Sequence, residues 1–235
     1  MENMSKHALV VGGSSGIGLT IAKLLAARGE SVTVTSRDAD RARHVAAELG
    51  PQHNGLALDL SRPDCVAKTL QLLPPVDHLA LVGSERDRNT LASYDLVSGT
   101  SAVIVKAIGY TAVIKTLIPT FNKGASIVLL GGIARRMGYP GSTSTGLVNG
   151  AITSMAKTFA AELSPIRINA VHPGGVGDSP AWESAPPQFL ETLRSRTASG
   201  AFVTMANVAH AVAFLFDNPG MNGTNLEIDG GFPAL

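Results

Sequence analysis

Short runs of β-branched and aliphatic residues alternate along the chain with longer stretches in which apolar positions recur every three or four residues. The short runs fall at Ala8–Val11, Ser31–Thr35, Gly55–Leu58, His78–Val82, Ser126–Leu130, Ile168–Val171 and Thr224–Ile228. They are almost continuously apolar rather than alternating, the pattern of strands covered on both faces. Segments of helical length separate them: Ile17–Arg28, Ala39–Leu49, Pro63–Leu72, Leu96–Leu117, Thr145–Leu163 and Ala206–Phe216. This alternation predicts a parallel sheet with right-handed crossovers. No linker, repeat or low-complexity tract divides the chain. The expected architecture is α/β, a single doubly wound Rossmann-type domain over residues 1–235, with a seven-stranded parallel sheet flanked by helices.

The stretch Pro173–Gly200 breaks the rhythm. It holds Gly174, Gly175, Gly177, Pro180, Pro186, Pro187 and the only tryptophan, Trp182. Ligands of α/β sheets sit beyond the carboxyl ends of the strands, which favours reading it as a lid over a pocket. An ordinary surface loop is the plainer alternative.

Composition narrows the class. The chain has 235 residues, 45% of them hydrophobic, and a net charge of +1. That supports a sizeable core, argues against disorder, and gives no general pull toward nucleic acid or anionic membrane. The most membrane-like stretch, Ser101–Ile118, carries Lys106 and Lys115 and reads as a buried helix of a soluble protein. The lone cysteine, Cys65, fits a reducing compartment, and the expected location is cytoplasmic. No His, Cys, Asp or Glu cluster has metal-ligand spacing, so no metal is expected. No Ser/His/Asp set with a nucleophile turn is present either.

The first strand runs into Gly12-Gly13-Ser14-Ser15-Gly16-Ile17-Gly18, and a helix follows. Gly12 permits a tight turn, Gly16 lets the backbone approach a pyrophosphate, and Gly18 lets the helix pack on the strand. Phosphates then meet free N–H groups at a helix N-terminus. The end of the second strand reads Thr35-Ser36-Arg37 rather than presenting a carboxylate. A neutral Ser36 beside Arg37 favours NADP(H) over NAD(H), since a guanidinium holds a 2′-phosphate and a carboxylate would hold the 2′-hydroxyl. Arg37 as a solvated surface charge is the alternative. Asp38 suits the N-cap of the next helix.

With the glycine turn, Asp59-Leu60, Ala160-Ala161-Glu162-Leu163, Ile166-Arg167-Ile168-Asn169-Ala170-Val171-His172-Pro173-Gly174 and Ile228-Asp229-Gly230-Gly231, the chain resembles the short-chain dehydrogenase/reductase family over almost its whole length. The resemblance implies that Asp59 and Leu60 flank the adenine, and that Gly83 lies in the cofactor-contacting turn after the fourth strand. It further implies that Pro173, Gly174 and Val176 line the nicotinamide side, with Ser179 at a family Thr that contacts the carboxamide or phosphates. A homodimer or homotetramer built through the two long helices is implied as well.

The family's catalytic Asn, Ser, Tyr and Lys fall here on Lys106, Gly132, Thr145 and Asn149. No tyrosine has a lysine four residues later. Thr145 cannot replace a phenol as acid, because an alcohol proton is far less acidic. Lys106 and Asn149 look like an exchange of the family's Asn and Lys: Asn149 then bonds the nicotinamide ribose and Lys106 supplies charge or a proton. Alternatively, Lys106 snorkels toward a subunit interface. Tyr139 is a further candidate proton donor, or an aromatic wall. Arg135 and Arg136 either attract an anionic substrate or form a solvated pair. His172 either reaches the pocket mouth or is structural. Ser142, Thr143 and Ser144 suit a turn and helix N-cap.

Three functions follow. The favoured one is an NADP(H)-dependent oxidoreductase with non-standard catalytic groups, acting on a small carbonyl or hydroxyl compound. The others are a catalytically silent NADP(H)-binding regulator or partner subunit, and a non-redox enzyme such as a dehydratase or isomerase.

Overall fold

The computed structural model describes residues 5–85, 89–180 and 187–232. Seven strands form one sheet in the order β3-β2-β1-β4-β5-β6-β7. They are β1 (His7–Val11), β2 (Ser31–Ser36), β3 (Asn54–Ala57), β4 (Val76–Leu81), β5 (Phe121–Leu130), β6 (Arg167–Pro173) and β7 (Asn225–Ile228). Every pairing is parallel. The chain therefore winds outward from β1 in one direction, returns, and continues the other way from β4. The switch point lies between β1 and β4, where crossovers leave toward opposite edges and a crevice opens at the carboxyl ends.

Helices cover both faces, which is why the strand runs lack polar alternation. α1 (Gly16–Ala27) and α8 (Met205–Asp217) share one face with α2 (Ala39–Leu49); their core includes Ile21, Leu25, Val45, Val208, Val212 and Leu215. The other face carries α3 (Val66–Leu70), α5 (Gly109–Leu117) and α6 (Thr143–Glu162), with Leu70, Tyr110, Val113, Leu117, Ile152 and Ala156 buried beneath them. α4 (Leu96–Val103) leads into α5 through a π turn, Ile104–Ile108. By length and composition this Leu96–Thr120 rod could cross a membrane, but its α5 part packs its apolar side into the core.

Three segments differ from the sequence expectation. The expected helix Pro63–Leu72 is a 3-10 turn, Pro63–Cys65, followed by a short α3. β5 starts at Phe121, five residues early, because the pairing slips between Val76 and His78 around Gly124, whose φ is +85°. The stretch expected to be irregular contains α7 (Pro187–Ser195), whose Pro187 sits where a missing N–H costs nothing. Trp182 and the centre of the expected lid lie outside the described residues. The expected N-cap Asp38 is seen accepting from the Asp40 and Arg41 N–H groups at 2.8 and 3.2 Å.

The segment Arg167–Asn169 ties α8 to the sheet. Arg167 Nη1 donates to the carbonyls of Leu215, Asn218 and Met221 at 2.8, 2.9 and 3.0 Å, and Nη2 to that of Phe216 at 2.6 Å. Leu215 and Phe216 carry carbonyls that the end of α8 leaves without helical partners, Asn218 and Met221 belong to the turn after it, and the cation also meets the negative end of the helix dipole. Asn169 Nδ2 donates to the Met221 carbonyl at 2.9 Å, while its Oδ1 accepts from the Thr224 N–H at 3.0 Å. Arg167→Met removes charge-assisted bonds to four carbonyls, and the expected loss is about 2–3 kcal/mol. Arg167→Lys recovers less than half of it, since an ammonium cannot span the fork. Urea unfolding of the two variants checks both statements.

Candidate functional site

The crevice at the switch point is a groove of about 540 Å³. Its floor is the turn from β1 into α1. Gly12 has a φ of +80°, and a Cβ there would stand 2.6 Å from the Gly83 amide nitrogen. A Cβ on Gly18 would stand 2.1 Å from the Gly12 carbonyl oxygen. No side chain fits at either position. Thr35 at the end of β2 holds the turn down: its Oγ1 accepts from the Gly12 N–H at 3.2 Å and its carbonyl from the Gly13 N–H at 3.1 Å. Ser15 caps α1 without a side-chain hydrogen bond, so first-turn amides are left for a ligand.

Gly12, Ser14, Ser15, Gly16, Ile17 and Gly18 all line the groove. So do Ser36, Arg37, Asp59, Leu60, Gly83 and Ser179. Gly83 is braced from below by fully buried Tyr110, which donates its hydroxyl to the Gly83 carbonyl at 2.9 Å. Burial pushes that phenol far above its ordinary pKa, so Tyr110 keeps its proton as a brace.

Two charged residues in the groove escaped the sequence reading. Arg41 lies in the first turn of α2 and donates from Nη2 to the Ser14 carbonyl at 3.4 Å. A cation is unfavourable at a helix N-terminus, and that mismatch was the available signal. Glu85 stands 3.5 Å from Arg37 Nη1 through Oε1, and its Oε2 accepts a hydrogen bond from Ser101 of α4.

Other expected cofactor residues lie beyond the groove's lining. Asn149 is buried in α6. Pro173 ends β6, Gly174 donates its N–H to the Ile228 carbonyl at 2.9 Å, and Val176 pairs with Val203. The groove wall on that side is made by Ser179 and Pro180.

At the inner end, Val105 lines the groove, and Lys106 follows it in the π turn. Such turns cluster at functional sites because they re-aim a side chain. Lys106 is only 7% exposed and donates from Nζ to Asn149 Oδ1 at 3.3 Å. The two helices thus bring Lys106 and Asn149 together. Gly132 completes the set: a Cβ there would stand 2.8 Å from Asn149 Nδ2. Asn149 occupies the space a serine side chain would need. Thr145 lies one turn earlier on α6.

His172 is fully buried behind this cluster. Its Nδ1 accepts from the Gly132 N–H at 3.2 Å, which leaves Nε2–H to donate to Asn225 Oδ1 at 2.8 Å. The imidazole is therefore neutral. Burial pushes its pKa below 6.5, helped by the charges of Arg135 and Lys106. It is a structural histidine that positions the Gly132 backbone.

Arg135 and Arg136 are held in ion pairs within the chain rather than left for a substrate. Arg135 pairs with Glu227, and Arg136 pairs with Glu227 and Asp229 at 3.2 and 3.0 Å. They lash the loop after β5 to the end of β7. Tyr139 stands outside the groove lining and is 55% exposed, on the same loop. Ser142 is the N-cap residue of α6, but its Oγ donates to the Tyr139 carbonyl at 2.6 Å instead of capping the helix. Among the described residues, no three His, Cys, Asp or Glu side chains converge as metal ligands would.

A doubly wound parallel sheet with a glycine turn at its switch point defines a Rossmann-type fold. A family model described as enoyl-(acyl carrier protein) reductase matches residues 11–233. The mouse protein "3-oxoacyl-[acyl-carrier-protein] reductase" is 30% identical over 97% of this chain and 98% of its own. "Carbonyl reductase family member 4" of Xenopus laevis is 32% identical with the same coverage, 97% and 98%. Among solved structures, a dehydrogenase/reductase from Sinorhizobium meliloti superposes with a TM-score of 0.88 at 27% identity, covering 97% of this chain and 95% of that one. A short-chain dehydrogenase/reductase from Brucella melitensis, covering 98% and 97%, reaches 0.91 at 23% identity, a likeness of fold. The chain belongs to the short-chain dehydrogenase/reductase family of oxidoreductases.

Two outcomes follow from this packing. Gly132→Ser is expected to lower stability by about 1–3 kcal/mol, because the side chain enters space held by Asn149. In an Asn149→Ala background the added serine is expected to cost nearly nothing, a coupling that urea midpoints of the four chains measure. The second outcome concerns pH. The folded pKa of His172 lies below the unfolded value of 6.5. Below 6.5 the unfolded chain takes up a proton that the folded chain refuses, so stability rises with pH up to that value and is then level. Unfolding midpoints between about pH 5 and pH 7 should fall less steeply in His172→Gln than in the parent.

Proposed function

We propose that the protein is an NADP(H)-dependent oxidoreductase that interconverts a small carbonyl compound and its alcohol through a non-standard active site. The observation that carries this reading is the groove's pairing of a glycine cradle with two guanidinium groups, Arg37 and Arg41. Cradle amides suit a pyrophosphate, and forked cations suit a 2′-phosphate. Gly12 and Gly18 keep that floor free of any side chain, so the residues present fit such a cofactor.

When bound, NADPH supplies the hydride. The chain's own residues do the rest. Asn149, buried beside the groove, would hold the nicotinamide ribose through its amide. Lys106 gives a proton from Nζ to the carbonyl oxygen as that oxygen gains negative charge, and the neutral amine recovers a proton from solvent. A positioned acid contributes roughly 10²–10⁴-fold, and correct placement of hydride and carbonyl contributes about 7–11 kcal/mol on its own. On this reading the chain works in the cytoplasm as a homodimer or homotetramer. Exposed Leu96 and Val97 on α4 and Leu147 on α6 support association through those helices.

Titration with NADPH and with NADH, followed by a carbonyl panel monitored by cofactor oxidation, tests the reading. NADPH is expected to bind more tightly than NADH. Lys106→Met is expected to lose roughly a hundredfold in kcat while still binding NADPH. Equal turnover in Lys106→Met removes the lysine from the chemistry. NADPH binding with no turnover across the panel leaves a nucleotide-binding protein that does not catalyse.

A further inference from the structure

Arg37, the residue offered to a 2′-phosphate, already faces an anion of the chain itself. Glu85 reaches it across the groove at 3.5 Å. The carboxylate comes from the loop after β4, not from the end of β2 where a nicotinamide-binding fold ordinarily carries its ribose-binding acid. It is held on its far side by the Ser101 hydroxyl of α4. Both Arg37 and Glu85 line the groove, as does Arg41, so all three charges face the same ligand space.

We propose that Glu85 sets the balance between the phosphorylated and unphosphorylated dinucleotides, acting against Arg37. This rests on reading the groove as a dinucleotide site. A 2′-phosphate that approaches Arg37 must separate it from Glu85 and then sit beside a like charge. A ribose 2′-hydroxyl meets no such opposition, because it donates a hydrogen bond that a carboxylate accepts. Arg41, whose Nη2 donates to the Ser14 carbonyl, keeps a positive charge on the phosphate side whatever Glu85 does. The site therefore carries phosphate-recognising cations and a hydroxyl-recognising anion together, and their sum decides selectivity. Arg37 and Glu85 are both substantially solvent-exposed, so the opposition is screened and its size is moderate.

The test uses the full chain and four versions of it: parent, Glu85→Gln, Arg37→Gln and the double variant. Dissociation constants for NADPH and NADH are measured by calorimetry, with a thermal melt to show that each chain is folded. Glu85→Gln is expected to tighten NADPH roughly fivefold and to leave NADH unchanged or weaker. In the Arg37→Gln background the same substitution is expected to yield a smaller gain, since the ion pair is already gone. An NADPH-to-NADH preference unchanged by Glu85→Gln overturns the assignment, and so does an equal gain for both nucleotides. If the parent binds neither nucleotide, the dinucleotide reading falls and the role of Glu85 falls with it.

Discussion

The approach of three backbone segments at the sheet's switch point is the constraint on which the rest of the structure depends. A Cβ on Gly18 would lie 2.1 Å from the Gly12 carbonyl, and one on Gly12 would lie 2.6 Å from the Gly83 amide. Only bare backbone lets α1, the end of β1 and the end of β4 come this close. Tyr110 fixes Gly83 from one side and Thr35 fixes Gly12 from the other. A groove with amides along its floor follows from that contact, as do the positions of Arg37 and Glu85 on its rim. The order of the strands puts the crevice here; the glycines make it deep enough to use.

Beside the groove, three residues form one packed cluster. Gly132, Asn149 and Lys106 come from β5, α6 and the π turn, far apart in sequence. Yet Asn149 fills the volume next to Gly132 and accepts a hydrogen bond from Lys106. An ammonium placed without partners in a buried site is strongly disfavoured. An asparagine carbonyl supplies an acceptor without adding a charge that would neutralise the lysine. Changing one of the three alone would therefore disturb the other two, and the cluster behaves as a unit.

Much of this was legible in the sequence, for physical reasons. Unbroken apolar runs gave the strands because both faces are covered, and the glycine turn announced the cradle because few other functions need that spacing. The long-range contacts were not legible. Arg135 and Arg136 read as free cations until Glu227 and Asp229, more than ninety residues away, were seen to pair with them. Glu85 carried no local pattern at all; its meaning comes from Arg37 lying opposite. α7 was hidden among prolines that signal irregular chain. The Arg167-Ile168-Asn169 match was visible as a motif, but its work in capping α8 appears only when the last carbonyls of that helix are counted.

The groove's rim and the buried cluster beside it differ in how strongly charge acts there. Arg37 and Glu85 are wet, and an ion pair in that setting contributes on the order of 1 kcal/mol or less. On the proposed reading such a pair biases which dinucleotide binds but is too weak to drive a reaction. Lys106 is shielded from water, where one charge close to a reacting oxygen is screened far less. Recognition can therefore drift by exchange of exposed residues at the rim with little effect on folding. Change at the inner end has to satisfy a buried ammonium, an asparagine amide and a glycine surface at once. On the proposed function, chemistry falls to the buried cluster and selectivity to the exposed rim.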